Sequence, residues 1–296
     1  MRFAIAALVI ALAGVSVWGQ APTLRIQTDD PNLPSDLYYG NIKVKPLRLR
    51  PGTNQPITID DSDFFVQQHY IDFLNRMPDP PGFTTWVAGL NACAPGDASC
   101  DRVHVSEQFF RSQEFQQRGY FIYRFYPVSF PSDPATNPAG FGRKPDRAEF
   151  MPDLRSVSGF LTDAQLEAAK VAFINNFMVR PTFVARYNSL NNQQYVNTLV
   201  QTANITLSNQ QSLIDGLNSN PPTLTRAQVL RQIAESAEVY NKYYNEAFVV
   251  MQYFGYLRRD PDILYLDWIK VLDANPTDSR HMVGGFVNSL EYRQRF

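Results

Sequence analysis

Cysteine and histidine are scarce: among 296 residues there are two cysteines, Cys93 and Cys100, and three histidines. A lone cysteine pair lacks the third and fourth ligands that zinc needs, and its spacing is not that of a Cys-x-x-Cys redox motif. His69, His104 and His281 fall in separate predicted helices without metal-like spacing, so no metal or cofactor is expected. Charge of one sign is also lacking, because 27 Lys and Arg face 28 Asp and Glu, for a formal charge of −1. Without a basic stripe to displace counterions, nucleic acid is not an expected partner. The densest basic run, Lys43–Arg50, is broken by Pro46. Gly-x-Ser-x-Gly, His-Glu-x-x-His, a phosphate loop and a dinucleotide fingerprint are all missing. Asp60, Asp61 and Asp63 lack the later ligands of a calcium loop.

Long hydrophobic runs are confined to the start. Arg2 followed by the apolar stretch Phe3–Ala13, with Val17 and Gly19 at the −3 and −1 positions, reads as an export signal over residues 1–19. The run is short for a membrane span, and no later stretch could serve as one. The mature chain is therefore expected to be secreted, periplasmic or at the cell surface. There an even cysteine count favours a disulfide, with Cys93 and Cys100 stapling the turn-rich loop CAPGDASC.

What the chain does have is apolar content, 44% against 19% charged, enough for a packed core. A proline-rich arm over residues 20–60 lacks helical periodicity, though Ile42-Lys43-Val44 and Leu47-Arg48-Leu49 alternate as short strands would. Helices follow. Asp63 is placed to cap the first, whose stripe is Val66, Tyr70, Phe73 and Leu74, and Pro78 ends it. Asp79 before Pro80 marks the start of a second, with Phe83, Trp86, Val87 and Leu90 at helical spacing. A third begins near Arg102 and carries Phe109 and Phe110 inward. The aromatic run Tyr120–Tyr126 is stopped by Pro127, and Pro131–Pro145 reads as a flexible loop. Thr162 caps a helix that Pro181 ends.

The opening unit returns near the C-terminus. Phe65, Tyr70, Leu74, Arg76, Pro78 and Asp79 match Phe248, Tyr253, Leu257, Arg259, Pro261 and Asp262 at one constant separation. Beyond a single-residue deletion, Trp86 matches Trp268; Phe109, Ser112, Glu114 and Phe115 match Phe286, Ser289, Glu291 and Tyr292. A degenerate middle copy keeps Ile233, Ser236, Glu238 and Val239, with Thr225 and Gln228 as a capping box, but has no Arg-x-Pro-Asp. The expected architecture is all-α: stacked helical repeat units sharing a core, built around Trp86, Trp268, Phe109 and Phe286. Its parts would be an arm at 20–60, a first module at 61–130 and connecting segments at 131–190. A degenerate second module would occupy 191–242 and a third 243–296.

The blocks FVQQHYIDFLNRMPD and FFRSQEFQQRGYFIYRFY, with the last copy from AFVVMQYFGYLRRDPD through SLEYRQRF, resemble the domain of unknown function numbered 4214. In overall plan the chain is also similar to phycobilisome linker domains. The resemblance implies an exported or cell-surface bacterial protein and carries no agreed activity. Two features depart from that pattern: Ile263-Leu264 replaces the turn glycine seen at Gly82, and the middle copy lacks the corner altogether.

Two polar groupings invite a chemical reading. Arg76 with Asp79, and Arg259 with Asp262, could form paired recognition corners. The structural alternative has each Asp cap the next helix while each Arg bonds the last carbonyls of the preceding one. Glu114, Glu238 and Glu291 recur at one local position in separate copies, as structural residues would, rather than as two carboxylates facing a cleft. The expectation is a non-enzymatic protein-binding or self-associating module. A carbohydrate-binding or carbohydrate-acting protein is the alternative, since 15 Tyr and 21 Phe could leave exposed rings for sugars.

Overall fold

Several helices begin where a side chain supplies an oxygen for their first free N–H groups. The computed structural model describes residues 23–28, 33–44, 48–133 and 140–296. The stretch expected to be an export signal, 1–19, lies outside them, as do residues 134–139 of the Pro131–Pro145 loop. The chain divides into two compact units, Met1–Pro46 and Leu47–Phe296. In the first, β1 (Leu24–Gln27), β2 (Asp36–Tyr39) and β3 (Ile42–Lys43) form an antiparallel sheet. Leu24, Ile26, Tyr39 and Ile42 are exposed, and the pairing Leu24↔Tyr39↔Ile42 sets them on one face. Of the second alternating stretch, Leu49 pairs only with Pro56.

The second unit is helical. Its first part contains α1 (Ser62–Leu74), α2 (Pro80–Ala92), α3 (Arg102–Arg111), α4 (Gln113–Gln117) and α5 (Gly119–Ser129). Next come α6 (Arg147–Ser156), α7 (Asp163–Met178), α8 (Pro181–Tyr187), α9 (Asn192–Thr202), α10 (Gln210–Asn218) and α11 (Arg226–Ala234). The last part is α12 (Ala237–Gln252), running into a π-helical turn at Tyr253–Leu257, then α13 (Tyr265–Ala274), α14 (Ser279–Val287) and α15 (Leu290–Arg293). The all-α class holds. Asp79, Thr162 and Thr225 accept from Gly82, Gln165 and Gln228 N–H as caps should. Asp63 does not cap α1. The cap position is Asp61, and both carboxylates are taken instead by Arg50, whose guanidinium reaches Asp61 at 2.8 Å and Asp63 at 2.8 and 3.0 Å. Pro181 ends one helix and opens the next.

Every residue of α5 is buried, its one charged residue, Arg124, included. Its rings meet those of α7 edge-on, Phe125 on Phe173 at 5.2 Å and Tyr126 on Phe177 at 5.4 Å. Pro127 does not stop this helix. It removes one N–H in the last turn, and the surrounding core holds the helix on to Ser129. α5 also packs on α9, α11 and α12, so it ties the first helices of the unit to its middle part.

The first and last copies touch directly. α3 packs on α14, the helices at matching positions, and α1 packs on the π turn. There Phe73 meets Tyr256, its sequence match, with centroids 5.0 Å apart. Gly255 allows the approach, because a Cβ there would lie 2.8 Å from Phe73. The contacts therefore close on themselves, where a linear stack would join each unit only to its neighbours. Phe109 and Phe286 are buried; Trp86 and Trp268 are half-buried on the rim of the core.

Gly142 makes the closest backbone approach: its Cβ would sit 2.0 Å from the Pro127 carbonyl oxygen. Gly142→Ala is expected to lower unfolding free energy by about 1–3 kcal/mol, measured by denaturant titration. An unchanged midpoint would contradict this packing.

Candidate functional site

The matched corners are built from the backbone outward. Each preceding helix ends on a left-handed residue, Asn75 at φ 50° and Arg258 at φ 53°. The next N–H then reaches back six residues: Arg76 N–H donates to Tyr70 O at 3.3 Å, and Arg259 N–H to Tyr253 O at 3.4 Å. Asn tolerates this conformation well; Arg258 is held in it while its side chain reaches Asp72. Because the backbone already serves those carbonyls, the arginine side chains are released for other partners.

Those partners are the recurring glutamates. Arg76 Nε and Nη2 donate to Glu114 at 2.7 and 2.6 Å, Nη2 to Asp79 at 3.2 Å, and Nη1 to Met77 O at 2.9 Å. Arg259 repeats the set, with Glu291 at 2.7 and 3.2 Å, Asp262 at 3.2 Å and Asp260 O at 3.2 Å. The expectation that each Arg bonds the preceding helix is thus corrected: its fork grips a carboxylate bidentately. Burial opposes the Arg76 charge, and Glu114 and Asp79 outweigh it, so its pKa rises above the ordinary value. Asp79 is held low chiefly by the Gly82 N–H. Ser112, Ser236 and Ser289 all cap the helix that follows, accepting from Phe115, Val239 and Tyr292 N–H. Pro78 and Pro261 keep the chain extended between the arginine and the aspartate.

Beside the first corner lies a cleft of about 100 Å³, lined by Tyr70, Leu74, Arg76, Trp86, Gln108 and Glu114 among others. No family model, curated protein or solved structure matches this chain. The chemistry of the site therefore rests on its geometry.

A polar cluster that the spacing of residues did not reveal sits between the first and last copies. His69 Nδ1 donates to Phe65 O at 2.8 Å, so its Nε2 accepts from the Tyr256 hydroxyl at 2.9 Å, with Ser106 Oγ also 2.9 Å away. Ser106 itself donates to Arg102 O at 2.7 Å. The contact looks like a nucleophile beside its base. Both residues are buried, however, and the lining of the cleft includes neither. Asp72 lies next to it, accepting from Arg258 at 3.0 Å and Arg295 at 2.8 Å, with its side chain 4% exposed. Sequence matching passed over this cluster because its members differ between copies: Asp72 aligns with Gly255, Asn75 with Arg258 and His69 with Gln252.

Cys93 and Cys100 are bonded, with Cα atoms 5.5 Å apart. The stapled loop leads into Asp101, which caps α3 and pairs with Arg280 of α14. No group of three or more potential metal ligands occurs among the described residues. No helix among them is long and apolar enough to cross a membrane.

Two outcomes follow. Arg76 is 9% exposed and Arg259 39%. Arg76→Ala should therefore cost about 3 kcal/mol or more and Arg259→Ala about 0–1 kcal/mol, by denaturant titration. Equal losses would contradict the difference in burial. Burial lowers the pKa of His69 from 6.5 to about 4, so the fold holds it neutral. The unfolded chain then takes up the proton first, and stability is lost as pH falls from 6.5 towards 4. Thermal melts between about pH 7 and 4.5 should show a shallower fall for His69→Gln than for the parent.

Proposed function

We propose that this chain is an exported, non-enzymatic interaction module that associates with itself or a protein partner through its helical surface. The observation that carries the reading is the last corner, where Ile263, Leu264 and Leu290, next in the chain to Asp262 and Glu291, stand exposed beside an arginine already paired with both carboxylates. Exposed aliphatic side chains grouped in this way mark contact surfaces more often than reaction sites. The disulfide is compatible with an oxidising compartment outside the cytoplasm. The resemblance of the outer copies to the domain of unknown function 4214 points to the same address.

The carbohydrate reading is supported by Trp86 and Tyr70 beside Glu114 in the cleft. Two magnitudes weigh against it. The cleft, at about 100 Å³, is well below the ~300 Å³ at which small-molecule sites begin. Glu114 is also engaged by both Arg76 and Arg118, at 2.6 and 3.1 Å, so its oxygens are already taken up within the corner.

Light scattering on the processed chain across a concentration series tests the proposal. A mass that climbs with concentration supports self-association. A steady monomer that also fails to retain envelope proteins contradicts it.

A further inference from the structure

The two corners share their hydrogen bonds and differ in what covers them. At the first, two rings lie over the Arg76 guanidinium, Tyr70 at 4.8 Å and Phe160 at 4.9 Å. Phe160 comes from outside that copy, on the turn between α6 and α7. Gly159 makes the turn with φ +98°, and its carbonyl accepts from Arg118 at 2.6 Å. At the last corner, Tyr253 at 5.2 Å is the only ring over Arg259 among the described residues. The counterpart of Arg118, Arg295, points instead to Asp72 and to the Gly255 and Tyr256 carbonyls. In place of a covering turn stand Ile263, Leu264 and Leu290, 59%, 60% and 74% exposed. The last corner has the first corner's receptor and lacks its second ring.

We propose that this corner docks the Phe160 turn of a second copy of the chain, with the ring on Arg259 and against Ile263, Leu264 and Leu290. The chain itself argues for this occupant. The same turn already covers the matching corner within one copy, and Phe160 remains 68% exposed there, the most exposed aromatic among the described residues. The receptor suits an uncharged ring, since Glu291 and Asp262 neutralise Arg259 while its guanidinium still attracts a π face. A further carboxylate would gain little there, where two carboxylates already face one guanidinium. Ring and receptor are different sites on one chain, so the contact is heterologous and repeats head to tail. This contact deepens the self-association proposed for the chain and stands on it.

The test is light scattering on the processed chain and on Phe160→Ala and Leu290→Glu, alone and mixed. Both substituted side chains are exposed, and circular dichroism checks that each variant is folded. The parent should grow past the dimer as concentration rises, and each variant alone should stay monomeric. Mixed in equal amounts, one supplies an intact corner and the other an intact ring, so a one-to-one pair should form and grow no further. Variants that associate as the parent does would overturn this site while leaving self-association standing. A mixture that stays monomeric would overturn it too. A parent that stays monomeric throughout would remove both the site and the self-association reading.

Discussion

One carboxylate holds the two ends of the helical unit together. Asp72, in the last turn of α1, is shared by Arg258 and Arg295, which leave the π turn and the final residues of the chain to reach it. Burial works against its charge, and the two guanidinium groups overcome that and hold its pKa below the ordinary value. A buried ion group of this kind adds little net stability compared with an apolar replacement, but it is costly to break because a stranded charge remains. Its effect is to fix register. With Asp72 in place, Phe73 must lie on Tyr256, His69 must meet the Tyr256 hydroxyl, and α3 must lie along α14. A second set of ion pairs, Asp60 to Arg102 and Arg293 and Asp101 to Arg280, frames the same junction nearer the surface.

The corners show how one local construction serves two ends. A left-handed residue closes the helix, the freed arginine grips a glutamate from a later turn, and an aspartate completes the group. In the first copy the core and the Phe160 turn seal this construction. In the last copy it stays open, with aliphatic side chains around it. The hydrogen-bond chemistry is nearly the same in both, so the difference in exposure comes from what surrounds each corner. That difference gives the surface its direction.

Much of the local structure was legible because its causes are local. Caps at Asp79, Thr162 and Thr225, the disulfide, and the matched Arg-x-Pro-Asp corners each follow from residues a few positions apart. What depends on distant partners was not legible. Arg76 and Glu114 were read as separate features because a whole helix and a disulfide loop lie between them. Asp63 looked like a cap because nothing nearby announced that Arg50 would claim it. Pro127 looked like a stop because its cost is local, whereas the packing that absorbs it comes from other helices. The junction at Asp72 was hidden by the repeat itself, since matching positions draws attention to what is shared and this cluster is made of what is not.

If Asp72 makes the first and last copies one cooperative unit, their core amides should open together. Native-state hydrogen exchange on α1, α3, α12 and α14 measures this directly. The expected result is one shared opening free energy across all four helices, falling together in Asp72→Asn. If α12 and α14 opened at a distinctly lower free energy while α1 and α3 stayed protected, the last copy would be a separate unit and this account of the junction would be contradicted.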